Sequence, residues 1–281
     1  MSPLPALVSV DWLIRHQGDP DVRILDATFY LPNLNRDAHA EYLERHLPGA
    51  VFFDVEVIAD HSSGLPHMLP SPEQFGRQVG ELGIDNADRV VVYDSNRFLA
   101  AARAWWMFRT MGHQDVMVLD GGLAAWQAAG QKLESGEVRP PARRFVAHFR
   151  PALVLDLDGV RTALDEGSSQ VVDVRSPGRF RGTDPEPRAG LRSGHMPGAV
   201  NLPYGELIDT DGRLLPNDRL QMALDGAGID LRLPVAASCG SGVSAAVLAL
   251  AAYQLGKEDL AVYDGSWTEW GGRQDTPVVR E

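Results

Sequence analysis

The chain has 281 residues, 44% of them hydrophobic and 23% charged, and a formal net charge of −12. That length exceeds what one core usually holds and suits two α/β-sized domains, while the acidic balance argues against nucleic acid or an anionic membrane as a partner. The single cysteine excludes an intramolecular disulfide and fits a reducing compartment, so a cytoplasmic location is expected.

Taken in order, Met1 to Val8 shows no basic leader and no sustained apolar segment, which predicts no signal peptide. Largely apolar runs at Val22–Leu25, Ala50–Phe53, Arg89–Tyr93 and Asp115–Leu119 predict buried strands. Ser71-Pro72-Glu73 offers an N-cap hydroxyl, a first-turn proline and an early acid, so a helix starts there and stops at Gly83. Trp105, Trp106 and Trp126 are assigned to the core. A connector is expected over Glu134–Arg150, where Ser135-Gly136 and Pro140-Pro141 sit among charges. The predicted division is a first domain over 1–138, a linker over 139–151 and a second domain over 152–281. Beyond the linker, Gln170–Val174, Ala199–Leu202, Pro234–Ala237 and Asp259–Tyr263 read as strands. Continuous apolar runs, rather than alternation, suit parallel strands covered on both faces. The expected fold is therefore α/β, two domains each with a mostly parallel central sheet flanked by helices. The longest apolar run, nine residues from Ala245 to Tyr253, is too short to cross a bilayer.

The two halves repeat one another. His46-Leu47-Pro48-Gly49-Ala50-Val51 returns as His195-Met196-Pro197-Gly198-Ala199-Val200, Gly83-Ile84-Asp85 as Gly228-Ile229-Asp230, and Asp120-Gly121-Gly122 as Asp264-Gly265-Ser266, at offsets of 149, 145 and 144 residues. A duplicated unit of about 145 residues explains all three.

The one cysteine, Cys239, follows a predicted strand, opens a glycine-containing loop and precedes the apolar helix. Backbone N–H groups and the dipole at a helix start favour a thiolate; the alternative is a cysteine buried for packing. The repeat discriminates between them. The matching position in the first half is Asp94, and a carboxylate is a poor packing substitute for a thiol, so one copy keeps the chemistry while its twin keeps the fold. A Cys-x5-Arg phosphatase would need arginine where Ala245 stands. Gly240-x-Gly242-x-x-Ala245 also fits a dinucleotide-binding turn, with Asp259 as the distal acid. His39, His46, His61 and His195 give no metal-ligand spacing with the cysteine, and no metal or cofactor is expected.

A strand followed by Cys239-Gly240-Ser241-Gly242-Val243-Ser244, the tandem duplication, His-x-Pro-Gly-Ala in both halves and Asp264-Gly265-Ser266-Trp267 near the end resemble the two-domain rhodanese-like sulfurtransferases. With Gly178–Arg188, the loop is similar to that of the 3-mercaptopyruvate type rather than the thiosulfate type; Ser244 stands where that type usually has threonine and keeps the hydroxyl. The resemblance implies that Cys239 takes a sulfane sulfur from 3-mercaptopyruvate, releases pyruvate, and passes the sulfur to a thiol such as thioredoxin or a small thiol, or to cyanide. It implies that Arg179 and Arg188 bind the donor carboxylate, a task suited to guanidinium, with Arg181 as a neighbour. Gly240 and Gly242 let the loop amides turn toward the sulfur, and Val243 and Ser244 complete the donor-binding loop. For the proton owed to the departing enolate, the family pattern implies a relay of Ser241, His67 and an acid, Glu56 or its neighbour Asp54, the relay coming from the first half and the cysteine from the second. A thiosulfate sulfurtransferase and a non-enzymatic sulfur carrier are the competing readings.

Overall fold

Each half of the chain builds one five-stranded sheet in which every pairing between the named strands is parallel. The computed structural model describes residues 5–31 and 34–281; Met1–Leu4, on which the leader reading partly rests, lie outside the described residues. The first sheet contains β1 (Leu7–Val8), β2 (Val22–Asp26), β3 (Val51–Phe52), β4 (Arg89–Tyr93) and β5 (Val116–Leu119), in the spatial order β1-β5-β4-β2-β3. The second contains β6 (Val154–Leu155), β7 (Gln170–Asp173), β8 (Val200–Asn201), β9 (Val235–Ser238) and β10 (Ala261–Tyr263), in the order β6-β10-β9-β7-β8. The two orders are the same permutation, as duplication requires. The expected strands are all present, although the run over Ala50–Phe53 pairs with β2 only through Val51 and Phe52. The edge strands β1 and β6 were not foreseen: Leu7–Val8 and Val154–Leu155 lie outside the runs read as strands, whereas the equally short β3 and β8 sit inside four-residue runs.

The helices of the first half are α1 (Val10–His16), α2 (Ala38–Glu44), α3 (Pro72–Glu81), α4 (Ala101–Thr110) and α5 (Gly122–Ala128). Those of the second are α6 (Leu157–Glu166), α7 (Pro177–Arg181), α8 (Asn217–Gly226), α9 (Ala245–Gln254) and α10 (Ser266–Trp270). α3 starts as predicted, with the Ser71 hydroxyl accepting the Gln74 N–H, and the chain turns at Gly83 with φ +78°. α9 has no polar face because every residue from Ala245 to Tyr253 is buried, and it packs on β9 and β10. Trp105, Trp106 and Trp126 are core residues, at most 2% exposed. The Trp126, Trp267 and Trp270 indoles each donate to a backbone carbonyl, of Lys132, Arg192 and Pro277, so their polar edges cost little on burial.

By packing, the first unit takes in residues up to Ala59, Leu69–Arg150 and Thr210–Leu214, and the second takes Asp60–Met68, Pro151–Asp209 and Leu215–Glu281. Two short segments thus belong to the unit formed by the other half. The stretch foreseen as connector lies on the first unit as a strap. Arg143 pairs with Asp88 at 2.6 Å and with Asp85, and Phe145 meets Phe75 and Phe108 edge-on.

The repeated His-x-Pro-Gly-Ala motif is structural in both units. His46 Nδ1 donates to Tyr42 O and His195 Nδ1 to Phe180 O, both at 2.8 Å. Each imidazole stacks on the ring of the residue it donates to, and each histidine backbone bridges a later segment, at Glu134 and Val279.

Candidate active site

In an open parallel sheet the carboxyl ends of the central strands form the natural site, and the central strand of the second sheet is β9. Cys239 is the first residue beyond it and is 1% exposed. Its loop is clamped by the start of α10: Trp267 N–H donates to Cys239 O at 3.0 Å and Thr268 N–H to Gly240 O at 2.8 Å. The Cys239 N–H donates to Ser266 Oγ at 3.1 Å. Gly242 has φ +77°, which lets the loop reverse before α9 begins.

The twin loop shows what this geometry holds. Asp94, directly after the central strand β4, is 3% exposed. Its Oδ1 accepts N–H groups of Asn96 and Phe98, and its Oδ2 those of Ala100 and Ala101, at 2.9–3.1 Å. Leu123 N–H donates to Asp94 O at 3.0 Å, the counterpart of the Trp267–Cys239 bond. Burial pushes the Asp94 carboxyl above its ordinary value and the four amides pull it back. Where the second copy has a thiol, the first holds a buried carboxyl group in a ring of amides.

The arginines that crowd 175–192 sort into distinct tasks. Arg175 is buried, bound through Nε and Nη2 to Asp173 and through Nη1 to Glu186 at 2.8 Å, with its guanidinium 4.2 Å from the Trp267 ring centroid. Arg192 donates to the carbonyls of Trp270, Gly271 and Thr276 and ties down the end of α10. Both are structural. Arg181 is exposed, and its carbonyl accepts the Glu281 N–H. Arg179 lies over the cysteine loop: a methyl placed on Gly240 would stand 3.0 Å from its Nη2. The side edge of Arg179, Nε and Nη2, is taken by Glu186, so the end edge, the outer N–H groups of Nη1 and Nη2, points away from that acid.

His67 sits in the segment that packs with the second unit, 5% exposed and at φ +60°, a conformation uncommon for a non-glycine residue. Arg188 Nη2 lies 3.3 Å from His67 Nε2. Guanidinium only donates, so Nε2 is the acceptor in this pair. Ser241 is 5% exposed, and no described hydrogen bond joins it to His67. Val243 is buried, while Ser244 precedes α9 without a side-chain cap bond. Glu56 and Asp54 belong to the first unit, where Asp54 Oδ1 accepts the Glu56 and Val57 N–H groups at 2.8 and 3.3 Å. Sequence reasoning did not pick out Glu186, Arg175 or Ser266, although Glu186 lies inside the arginine motif and Ser266 inside a repeated one.

Among the described residues, no group of three or more His, Cys, Asp and Glu side chains could hold a metal ion, and no helix is long and apolar enough to cross a membrane.

Both halves of the sequence match the rhodanese-like domain, over residues 9–129 and again over 156–273. The chain belongs to the rhodanese-like domain family. With that membership the whole duplicated chain is accounted for, which the dinucleotide-binding reading of the Gly240 turn never did. This rhodanese-like chain is 45% identical to the 3-mercaptopyruvate sulfurtransferase of Escherichia coli K12, over 96% of each chain. It is 44% identical to the Arabidopsis thaliana protein named thiosulfate/3-mercaptopyruvate sulfurtransferase 1, mitochondrial, over 97% of this chain and 77% of that one. The crystal structure of SseA from Escherichia coli, described as a 3-mercaptopyruvate sulfotransferase, superposes with a TM-score of 0.87 at 42% identity, covering 94% of this chain and 99% of that one.

Proposed function

We propose that this protein is a sulfurtransferase that takes sulfur from 3-mercaptopyruvate, carries it as a persulfide on Cys239 and delivers it to a thiol or to cyanide. The observation that carries the reading is the Arg179 guanidinium over the loop of a cysteine at the end of the central strand. The names of the E. coli and Arabidopsis relatives support it.

In the first half-reaction the Cys239 thiolate attacks the donor sulfur. The new S–S bond forms as the C–S bond breaks, and the electron pair goes to the departing carbon as pyruvate enolate, which takes up a proton. Gly240, Gly242, Val243 and Ser244 shape the loop that receives the donor, and the end edge of Arg179 with Arg188 takes its carboxylate. In the second half-reaction the acceptor attacks the outer sulfur, and Cys239 leaves again as thiolate. Ser241 and His67 serve the proton, and the contact of His67 with Arg188 links proton delivery to donor binding. The assignment of Glu56 as the acid that orients His67 rests on the family resemblance. Every step uses side chains of the protein, so the mechanism as written calls on no cofactor.

The acceptor is read as thioredoxin, a small thiol or cyanide, and the compartment as cytoplasm, in keeping with one unpaired thiol; the Arabidopsis relative's name puts that protein in mitochondria. That same name pairs thiosulfate with 3-mercaptopyruvate, which keeps thiosulfate as a second donor reading. Two measurements test the proposal. Mass spectrometry after donor exposure should show a gain of about one sulfur atom that Cys239→Ser abolishes. The kcat/KM for 3-mercaptopyruvate should exceed that for thiosulfate, and equal or reversed values overturn the donor assignment. Absence of the mass gain overturns the persulfide, leaving a non-enzymatic module.

A further inference from the structure

Ser266 is fully buried, yet it holds φ +47°, a backbone conformation that costs a non-glycine residue energy. Its hydroxyl accepts the Cys239 N–H at 3.1 Å and donates to Tyr263 O at 2.8 Å. The twin position is Gly122, with φ +54°. A side chain there would run into the Asp94 carbonyl oxygen. Each copy therefore demands the same left-handed turn under its loop. Only the copy with the thiol fills that turn with a hydroxyl, and it does so against backbone preference. In the other copy Asp94 anchors its own loop through four amides, and glycine suffices.

We infer that Ser266 is a positioning residue for Cys239: its hydroxyl pins the Cys239 amide to the end of β10 and so fixes the direction in which the sulfur points. The inference rests on the sulfurtransferase reading for its purpose, but on the hydrogen bonds for its content. With the Cys239 N–H held on one side by Ser266 and the Cys239 carbonyl held by the Trp267 N–H, both peptide planes flanking the cysteine are fixed, and the sulfur keeps its place in the loop that leads into α9, where backbone N–H groups at a helix start favour a thiolate. Without the hydroxyl the buried N–H loses its acceptor, the residue rocks, and the sulfur is no longer held at that place. Arg179 and Arg188, which meet the donor, are untouched.

The test uses Ser266→Gly, the residue the twin carries at the same φ, and Ser266→Ala. Because Cys239 is the only cysteine, thiolate absorbance followed against pH, with Cys239→Ser as blank, reads this one group. Both variants should move the midpoint to higher pH and lower kcat with 3-mercaptopyruvate by about tenfold, the loss of one hydrogen bond, with KM for the donor changed less than about twofold. Thermal stability of Ser266→Gly should stay close to the parent's, since glycine accepts this φ without strain. A folded Ser266→Gly whose midpoint stays or moves down overturns the inference, as does a pair of variants that lose stability while midpoint and kcat remain the parent's. If the parent turns over no sulfur donor at all, the sulfurtransferase reading fails while the absorbance midpoint still decides the role of Ser266.

Discussion

The Glu186 carboxylate lies along the side edge of the Arg179 guanidinium, its Oε2 2.6 Å from Nη2 and 3.2 Å from Nε, while its Oε1 takes Arg175 Nη1 at 2.8 Å. One buried acid thus fixes two arginines, and Arg175 is fixed again by Asp173. The result is a chain of alternating charges that ends at the Arg179 guanidinium over the cysteine loop. Breaking a buried pair of this kind costs about 3–5 kcal/mol, because the charge left behind has no water to turn to. Glu186→Gln should therefore lower the melting temperature and raise KM for the donor by about tenfold, the change in KM exceeding that in kcat. Steady-state kinetics with a thermal melt check both, and an unchanged KM would mean that Arg179 needs no anchor.

Gly240 is required by approach rather than by dihedral freedom. Gly240→Ala puts a methyl 3.0 Å from Arg179 Nη2 and displaces the guanidinium from the loop. KM for the donor should rise about fivefold or more, a cost of roughly 1 kcal/mol or more. Gly226→Ala in α8, where an added methyl meets nothing within 4 Å, is the control and should leave kinetics unchanged while stabilising slightly.

Asp94→Asn tests the twin loop. One carboxylate oxygen becomes an NH2 group facing two amide donors, and the buried N–H groups lose their acceptor. A loss of about 1–3 kcal/mol in unfolding free energy is expected. Chemical denaturation measures it, and Asp94→Ala should be at least as damaging. An unchanged stability would show that the ring of amides does not depend on the carboxyl group.

His113 gives the first unit a pH dependence. It is 4% exposed and packed near Phe108 and Phe145, and burial lowers its pKa, with Asp115 and Asp88 pulling the other way. The folded state thus holds the imidazole neutral more readily than the unfolded chain does. Its contribution is fully present above the unfolded value of about 6.5 and is lost as pH falls from there through the lowered folded value. Melting temperature should fall between about pH 7.5 and pH 5.5, and His113→Leu should flatten that part of the profile. A slope unchanged in the variant would assign it to other groups.

Much of this protein is determined by local pattern. Val90–Val92 and Val235–Ala237 are buried on both faces of parallel sheets, so their apolar runs announce strands whatever surrounds them. Ser71-Pro72 caps a helix through a bond made within three residues. The duplication is visible as spacing, and it singles out Cys239 by pairing it with Asp94. Edge strands β1 and β6 escape such a reading because Leu7–Val8 and Val154–Leu155 stand outside the runs read as strands, whereas β3 and β8, equally short, lie within runs of four residues.

Tertiary structure alone decides which arginine serves which task. Arg175, Arg179, Arg188 and Arg192 are alike as letters, and their roles follow from partners far off in sequence: Trp267 for Arg175, the Gly240 loop for Arg179, His67 for Arg188 and the end of α10 for Arg192. The same holds for Ser266, whose hydroxyl meets the cysteine amide 27 residues away, and for the residues up to Met68 that pack with the other half's unit. Sequence patterns record which faces leave water; hydrogen bonds between distant segments are set only when the sheets bring them within reach.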